Sequence, residues 1–171
     1  MKRYGLLALV ALIAFPLMAQ ETEPDPAVQA AKEETAVVYD LGRFFGFVLR
    51  LEQEYDDLAL NRDQMEELYD VVEYVAGASR IEADWAEETL DYLELDLLSP
   101  AQLMQVDMFA IARDESRVPG SGTGATGGST GSGPILSYIN GGAFNPIVEE
   151  TKTTGQDFME LRALLKAELG R

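Results

Sequence analysis

The chain predicts a mainly α fold: a small antiparallel helical bundle or set of helical hairpins, with a Gly/Ser/Thr-rich linker and a C-terminal helix. Three observations predict it. Apolar residues recur at helical spacing through most of segment 28–118. Several helix starts carry paired capping residues. The 171 residues include no cysteine, so no disulfide can staple the fold and stability must come from packing.

The first element is an export signal over residues 1–19. Met1 to Tyr4 form a short basic start, and Gly5 to Ala14 are an unbroken run of apolar and small residues. Pro16 breaks that run and Ala19 offers a small residue before a cut. The run is too short for a bilayer core of ~30 Å, which needs about 20 residues. An uncleaved anchor is the alternative reading. Residues 20–27 are polar, acidic and proline-containing, and read as a disordered leader.

The helical domain spans 28–118. Its first helix runs from about Val28 to Leu58. Val37, Leu41, Phe44, Val48, Leu51, Tyr55 and Leu58 form a heptad-type seam. Val38, Phe45, Phe47 and Leu49 widen the apolar arc beyond the ~100° of a simple surface helix, so neighbours are expected on two sides. Gly42 and Gly46 cost ~1 kcal/mol each against alanine, unless they admit a closely packed helix. Asn61 then caps a second helix, with Gln64 three residues on to reach back to the cap's amide. Gly77 ends it. Ser79-Arg80-Ile81-Glu82 has the pattern of another capping box, opening a helix with Ile81, Trp85, Thr89 and Tyr92. Ser99, Pro100 and Gln102 start the next helix, which continues to about Arg113. The Asn61–Gln64 and Ser99–Gln102 starts align at an offset of 38 residues.

Residues 119–134 are the flexible linker. Its Gly/Ser/Thr/Ala core, 120–133, has no charge and no large side chain; such a length spans roughly 20 Å. It lacks the Gly-Lys-Ser/Thr of a phosphate-cradling loop. The C-terminal segment, 135–171, begins with Pro134 to Ile139 as a short strand or an extended docking segment. Phe144 to Ile147 reads as an irregular apolar anchor. A final helix starts near Thr153 and carries Phe158, Leu161, Leu165 and Leu169. This piece is too small to fold alone, so it either packs back on the main helices or tethers a partner.

Removing residues 1–19 from the 171 leaves 152, enough for one domain with a core. The chain has 13 Lys+Arg and 30 Asp+Glu; the export signal takes Lys2 and Arg3, so the net charge moves from −17 to −19. That field repels nucleic acid and anionic lipid surfaces. No stable membrane insertion is expected after signal cleavage. The charge either keeps the protein soluble or attracts cationic partners or divalent cations, and no Asp-x-Asp-x-Asp-Gly calcium loop is present. The adjacent carboxylates Asp56-Asp57, Glu66-Glu67, Glu87-Glu88 and Glu149-Glu150 do not face each other on a helix and read as solvated faces. With no histidine or cysteine, no Ser-His or Cys-His system is available. Lys32, Lys152 and Lys166, the lysines beyond the leader, do not follow a Ser-x-x-Lys pattern. No catalytic residue, cofactor or metal ligand set is therefore expected.

Two groups of residues carry what functional signal there is. Phe44, Phe45 and Phe47 are either core packing or a surface for self-association or a client. Asn61, Gln64, Ser99 and Gln102 are the helix-capping motifs. The starts Leu60-Asn61-Arg62-Asp63-Gln64 and Leu98-Ser99-Pro100-Ala101-Gln102 resemble the LTxxQ motif of the Spy and CpxP-like periplasmic proteins. The likeness covers roughly residues 58–113. It implies a helical, usually dimeric, cradle-shaped stress protein of the envelope, some of which are ATP-independent chaperones and some restrainers of envelope signalling. This chain departs from it in having Asn61 for the hydroxyl residue and a strongly acidic balance in place of a basic client face. The expectation is a non-enzymatic periplasmic or secreted binding protein, with a protein partner or self-association. Alternatives are a structural or assembly component of an envelope complex, and a carboxylate-dependent hydrolase, which would need two converging acids.

Overall fold

The structure, a computed structural model, describes residues 25–116 and 133–171. The expected export signal and most of the linker lie outside the described residues, as do residues 20–24 of the expected leader. Helix α1 (Pro26–Glu34) opens inside that leader. The Asp25 carboxylate accepts the Ala27 amide at 2.9 Å, and Pro26 takes a first-turn position where no amide is needed. The single helix expected from Val28 to Leu58 is broken at Thr35. Its buried hydroxyl donates to the Ala31 carbonyl at 2.7 Å, competing with the continuing backbone ladder.

Helix α2 (Ala36–Glu54) is the centre of the bundle. Helices α4, α5 and α7 all pack on it, which is why its apolar arc is so wide. Tyr55 and Leu58, the last two seam positions, fall after its end, Leu58 in a 3-10 turn at Asp56–Leu58. Gly42 and Gly46 are the closely packed positions. An added Cβ would stand 2.9 Å from Thr154 Cγ2 at Gly42 and 3.0 Å from Asp157 Oδ2 at Gly46. The two glycines thus let the start of α7 lie against α2.

Helix α3 (Arg62–Gly77) and α5 (Pro100–Glu115) begin at the two expected capping boxes. Helix α4 (Ala83–Tyr92) does not. Its cap is Glu82, which makes no side-chain capping bond, so the box expected at Ser79–Glu82 is absent. The Glu82 carboxylate pairs with Arg80 instead, and a long-range bridge holds the segment extended. The Ile81 amide donates to the Phe144 carbonyl at 2.8 Å, and the Phe144 amide to the Ser79 carbonyl at 2.9 Å. Ile81 and Phe144 are both buried behind this bridge. Leu93–Leu97 continue α4 as a π-helical turn that buries Leu93 and Leu97 and turns Leu95 outward.

The C-terminal segment docks on the same core. Its first stretch is neither strand nor extended: Gly133–Ile139 form a short helix, α6, which packs on α1. Arg80 anchors it. One guanidinium nitrogen donates to the carbonyls of Tyr138 and Gly142, at 3.0 and 2.9 Å, and the Cζ lies 4.1 Å from the Tyr138 ring centroid. Burial, then the hydrogen bond that the Tyr138 hydroxyl donates to Glu34, push that phenol up to about 12. A 3-10 turn at Pro146–Val148 carries buried Ile147, as the apolar anchor requires. Helix α7 (Thr153–Leu169) buries Phe158, Leu161, Leu165 and Leu169 against α2 and α3. Arg162 pairs with Glu73 of α3 at 2.6 and 3.0 Å, and Gly170 closes α7 at φ 67°.

Candidate functional site

The two capping boxes meet each other. In each, the glutamine carbonyl oxygen accepts the amide of its own cap residue: Asn61 to Gln64 at 2.9 Å, Ser99 to Gln102 at 2.8 Å. Each carboxamide nitrogen then crosses to the other box. Gln64 donates to the Leu97 carbonyl at 2.7 Å and to Gln102 Oε1 at 2.9 Å. Gln102 donates to the Leu58 and Ala59 carbonyls at 3.0 and 3.3 Å, and to Gln64 Oε1 at 3.4 Å. The brace has approximate two-fold symmetry, because Ala59 and Leu97, like the caps and the glutamines, are 38 residues apart. Nearby, the Leu60 amide donates to Glu52 at 2.5 Å; burial nonetheless holds the Glu52 carboxyl above the usual carboxylate range.

This arrangement gives a testable expectation. Gln102 is only 5% exposed, so truncating it removes several part-buried hydrogen bonds at once. Gln102→Ala is expected to cost about 2–3 kcal/mol and Gln64→Ala about 1 kcal/mol. Their double-mutant cycle in urea should show a coupling of about 1 kcal/mol. Strict additivity would mean that the crossed bonds contribute nothing.

Phe44, Phe45 and Phe47 do not form an exposed surface. Phe44 and Phe45 are buried, and Phe47 is half-buried with its ring 6.4 Å from Phe109 of α5. Phe45 meets Phe158 of α7 at 5.4 Å. The cluster reaches α7 through Phe45 and α5 through Phe47, and of its two readings the structure has core packing. Trp85 is half-buried, with its ring 4.5 Å from that of Tyr74.

Among the described residues, α5 carries the most exposed large apolar side chains of any helix. Met104, Met108 and Ile111 are 65%, 56% and 58% exposed. At ~100° per residue they fall within an arc of about 60°. The opposite face of α5, with Gln102, Val106 and Phe109, is the buried one. Helix α5 therefore carries apolar residues front and back, and α2 covers only one side. The back face followed the inward spacing of the sequence. The front was also legible as a second set at i, i+4 and i+7, but nothing local says which of two apolar faces turns inward.

The stretch of sequence that leads into and carries this face is acidic. From Ile81 to Ala112 there are eight carboxylates and no lysine or arginine. Burial, then the charges of Asp107 and Asp91, push the Glu94 carboxyl up, so these three acids share one neighbourhood. Among the described residues no group of three or more acids is placed to hold a metal ion, and no helix is long and apolar enough to cross a membrane. In the adjacent pairs Asp56-Asp57, Glu87-Glu88 and Glu149-Glu150 every residue is exposed, as expected of solvated faces. No family model, curated protein or solved structure matches the chain.

Proposed function

We propose that this is a non-enzymatic, extracytoplasmic helical binding protein that acts on other proteins as a chaperone or envelope-stress modulator. The observation that carries the reading is the exposed Met104–Met108–Ile111 face, on a bundle whose other helices bury their main apolar stripes. Exposed apolar patches of this kind mark interaction surfaces, and methionine adapts to varied partners. The opening pattern of residues 1–19 supports export, and the capped starts resembling LTxxQ motifs support an envelope role. No cofactor or metal is needed for such a role.

The purified protein is expected to suppress aggregation of a chemically denatured client, read by light scattering, at several-fold molar excess. Absence of suppression would remove the chaperone reading. Crosslinking in native cells to one stoichiometric partner, without suppression, would instead assign the protein to a structural or assembly role in an envelope complex.

A further inference from the structure

We propose that the outer face of α5 is a docking site for a cationic amphipathic helix. The inference deepens the binding-protein reading and rests on it. The anchors are Met104, Met108 and Ile111, exposed by 65%, 56% and 58%. They span about 10 Å along α5, two turns, which matches an i, i+4, i+7 stripe on a partner helix. Their spacing gives apolar side chains a straight ridge to pack against, and the methionines can adjust to the partner's shape.

Charge selects the occupant. Asp107, exposed on α5, lies between the two methionines in sequence, and Glu94 feels the charges of both Asp107 and Asp91. Of the eight carboxylates from Ile81 to Ala112, Glu82 is paired with Arg80, and the stretch itself holds no lysine or arginine. A second copy docking here about a two-fold axis would bring two copies of this acidic set into one interface. An anionic lipid surface meets the same repulsion. The chain's own segment 120–133 has no large side chain with which to cover the ridge. A helix with lysine or arginine flanking an apolar stripe satisfies both halves of the surface, and the complementary field adds on-rate and selectivity.

The test uses a fluorescein-labelled amphipathic peptide of leucine and lysine at helical spacing. Two controls accompany it, a scrambled leucine/lysine peptide and the leucine/glutamate analogue. Anisotropy should show saturable binding of the first, weaker binding of the scrambled peptide and none of the acidic one. The double variant Met104→Gln/Met108→Gln leaves the charge unchanged and should weaken binding about tenfold or more. Asp91→Asn/Asp107→Asn should weaken it too, and remove part of its salt dependence. Equal binding of scrambled and patterned peptides, or full binding by the methionine variant with an unchanged circular dichroism spectrum, would overturn the proposal. So would a wild-type dimer that the methionine variant dissociates, because a second copy would then cover the face. If the methionine variant still suppresses client aggregation as the wild type does, the binding-protein reading stands and this site falls. If the wild type binds the peptide but suppresses no aggregation, the site stands and the chaperone reading falls.

Discussion

Gly155→Ala is expected to destabilise the protein by about 3 kcal/mol or more, the upper range for forcing atoms into a filled site. Gly155 is buried in the first turn of α7, where the helix doubles back under the turn at Glu149. A Cβ there would run into the Glu149 carbonyl carbon and oxygen, and lie 3.0 Å from the Glu149 amide nitrogen. The obstacle is backbone, so no rotamer change relieves it. The Gly155 and Gln156 amides both donate to the Lys152 carbonyl, at 3.0 Å each, which holds that backbone in place. Either the turn 149–152 opens or the start of α7 moves off α2, and the second option loosens Phe158, which is 0% exposed. About 3 kcal/mol corresponds to roughly 10 °C in a domain of this size. Thermal unfolding followed by circular dichroism checks this. A Tm within two degrees of wild type would show that the turn yields freely.

Phe45→Ala should cost about 3–5 kcal/mol, the usual range for removing a buried phenylalanine ring. Phe45 is 0% exposed and touches Phe44 beside it and Phe158 across the interface, at ring separations of 6.4 and 5.4 Å. The void would sit where α2 meets α7, a site walled by two helices and slow to collapse. The urea midpoint should fall strongly, whereas peptide binding at α5 in the folded fraction should not change. Loss of peptide binding with little loss of stability would return Phe45 to the surface role that its apolar cluster first suggested. Met104→Gln/Met108→Gln should show the opposite pattern, with nearly unchanged stability, because surface substitutions usually alter it by less than about 0.5 kcal/mol. The two variants together separate packing from recognition.

Much of the local structure was legible because its causes are local. Asn61 with Gln64 and Ser99 with Gln102 set two helix starts through bonds that close within three residues. Phe158, Leu161, Leu165 and Leu169 announced α7 by spacing alone, and all four are buried. Where the reading failed, a distant partner held the segment in another conformation. Ser79 to Glu82 look like a capping box, yet the Ile81 amide is bonded to Phe144, across the whole linker. Ile135 and Tyr138 fit a strand or a helix equally over so short a run, and packing on α1 with the Arg80 clamp settles them as helix.

The sequence by itself determined the mainly α class, the acidic balance, the starts of α3, α5 and α7, and the apolar load of those helices. These follow from side-chain chemistry acting over one turn and from charge, which needs no fold to be counted. Tertiary structure alone decided three further matters. It crossed the two glutamines into one brace, since no local rule brings together groups 38 residues apart. It put the phenylalanines of α2 inside, since only the neighbours of a wide apolar arc determine whether it is covered. And it chose, for a helix apolar on both sides, the Val106–Phe109 face to bury and the Met104–Met108–Ile111 face to leave in water.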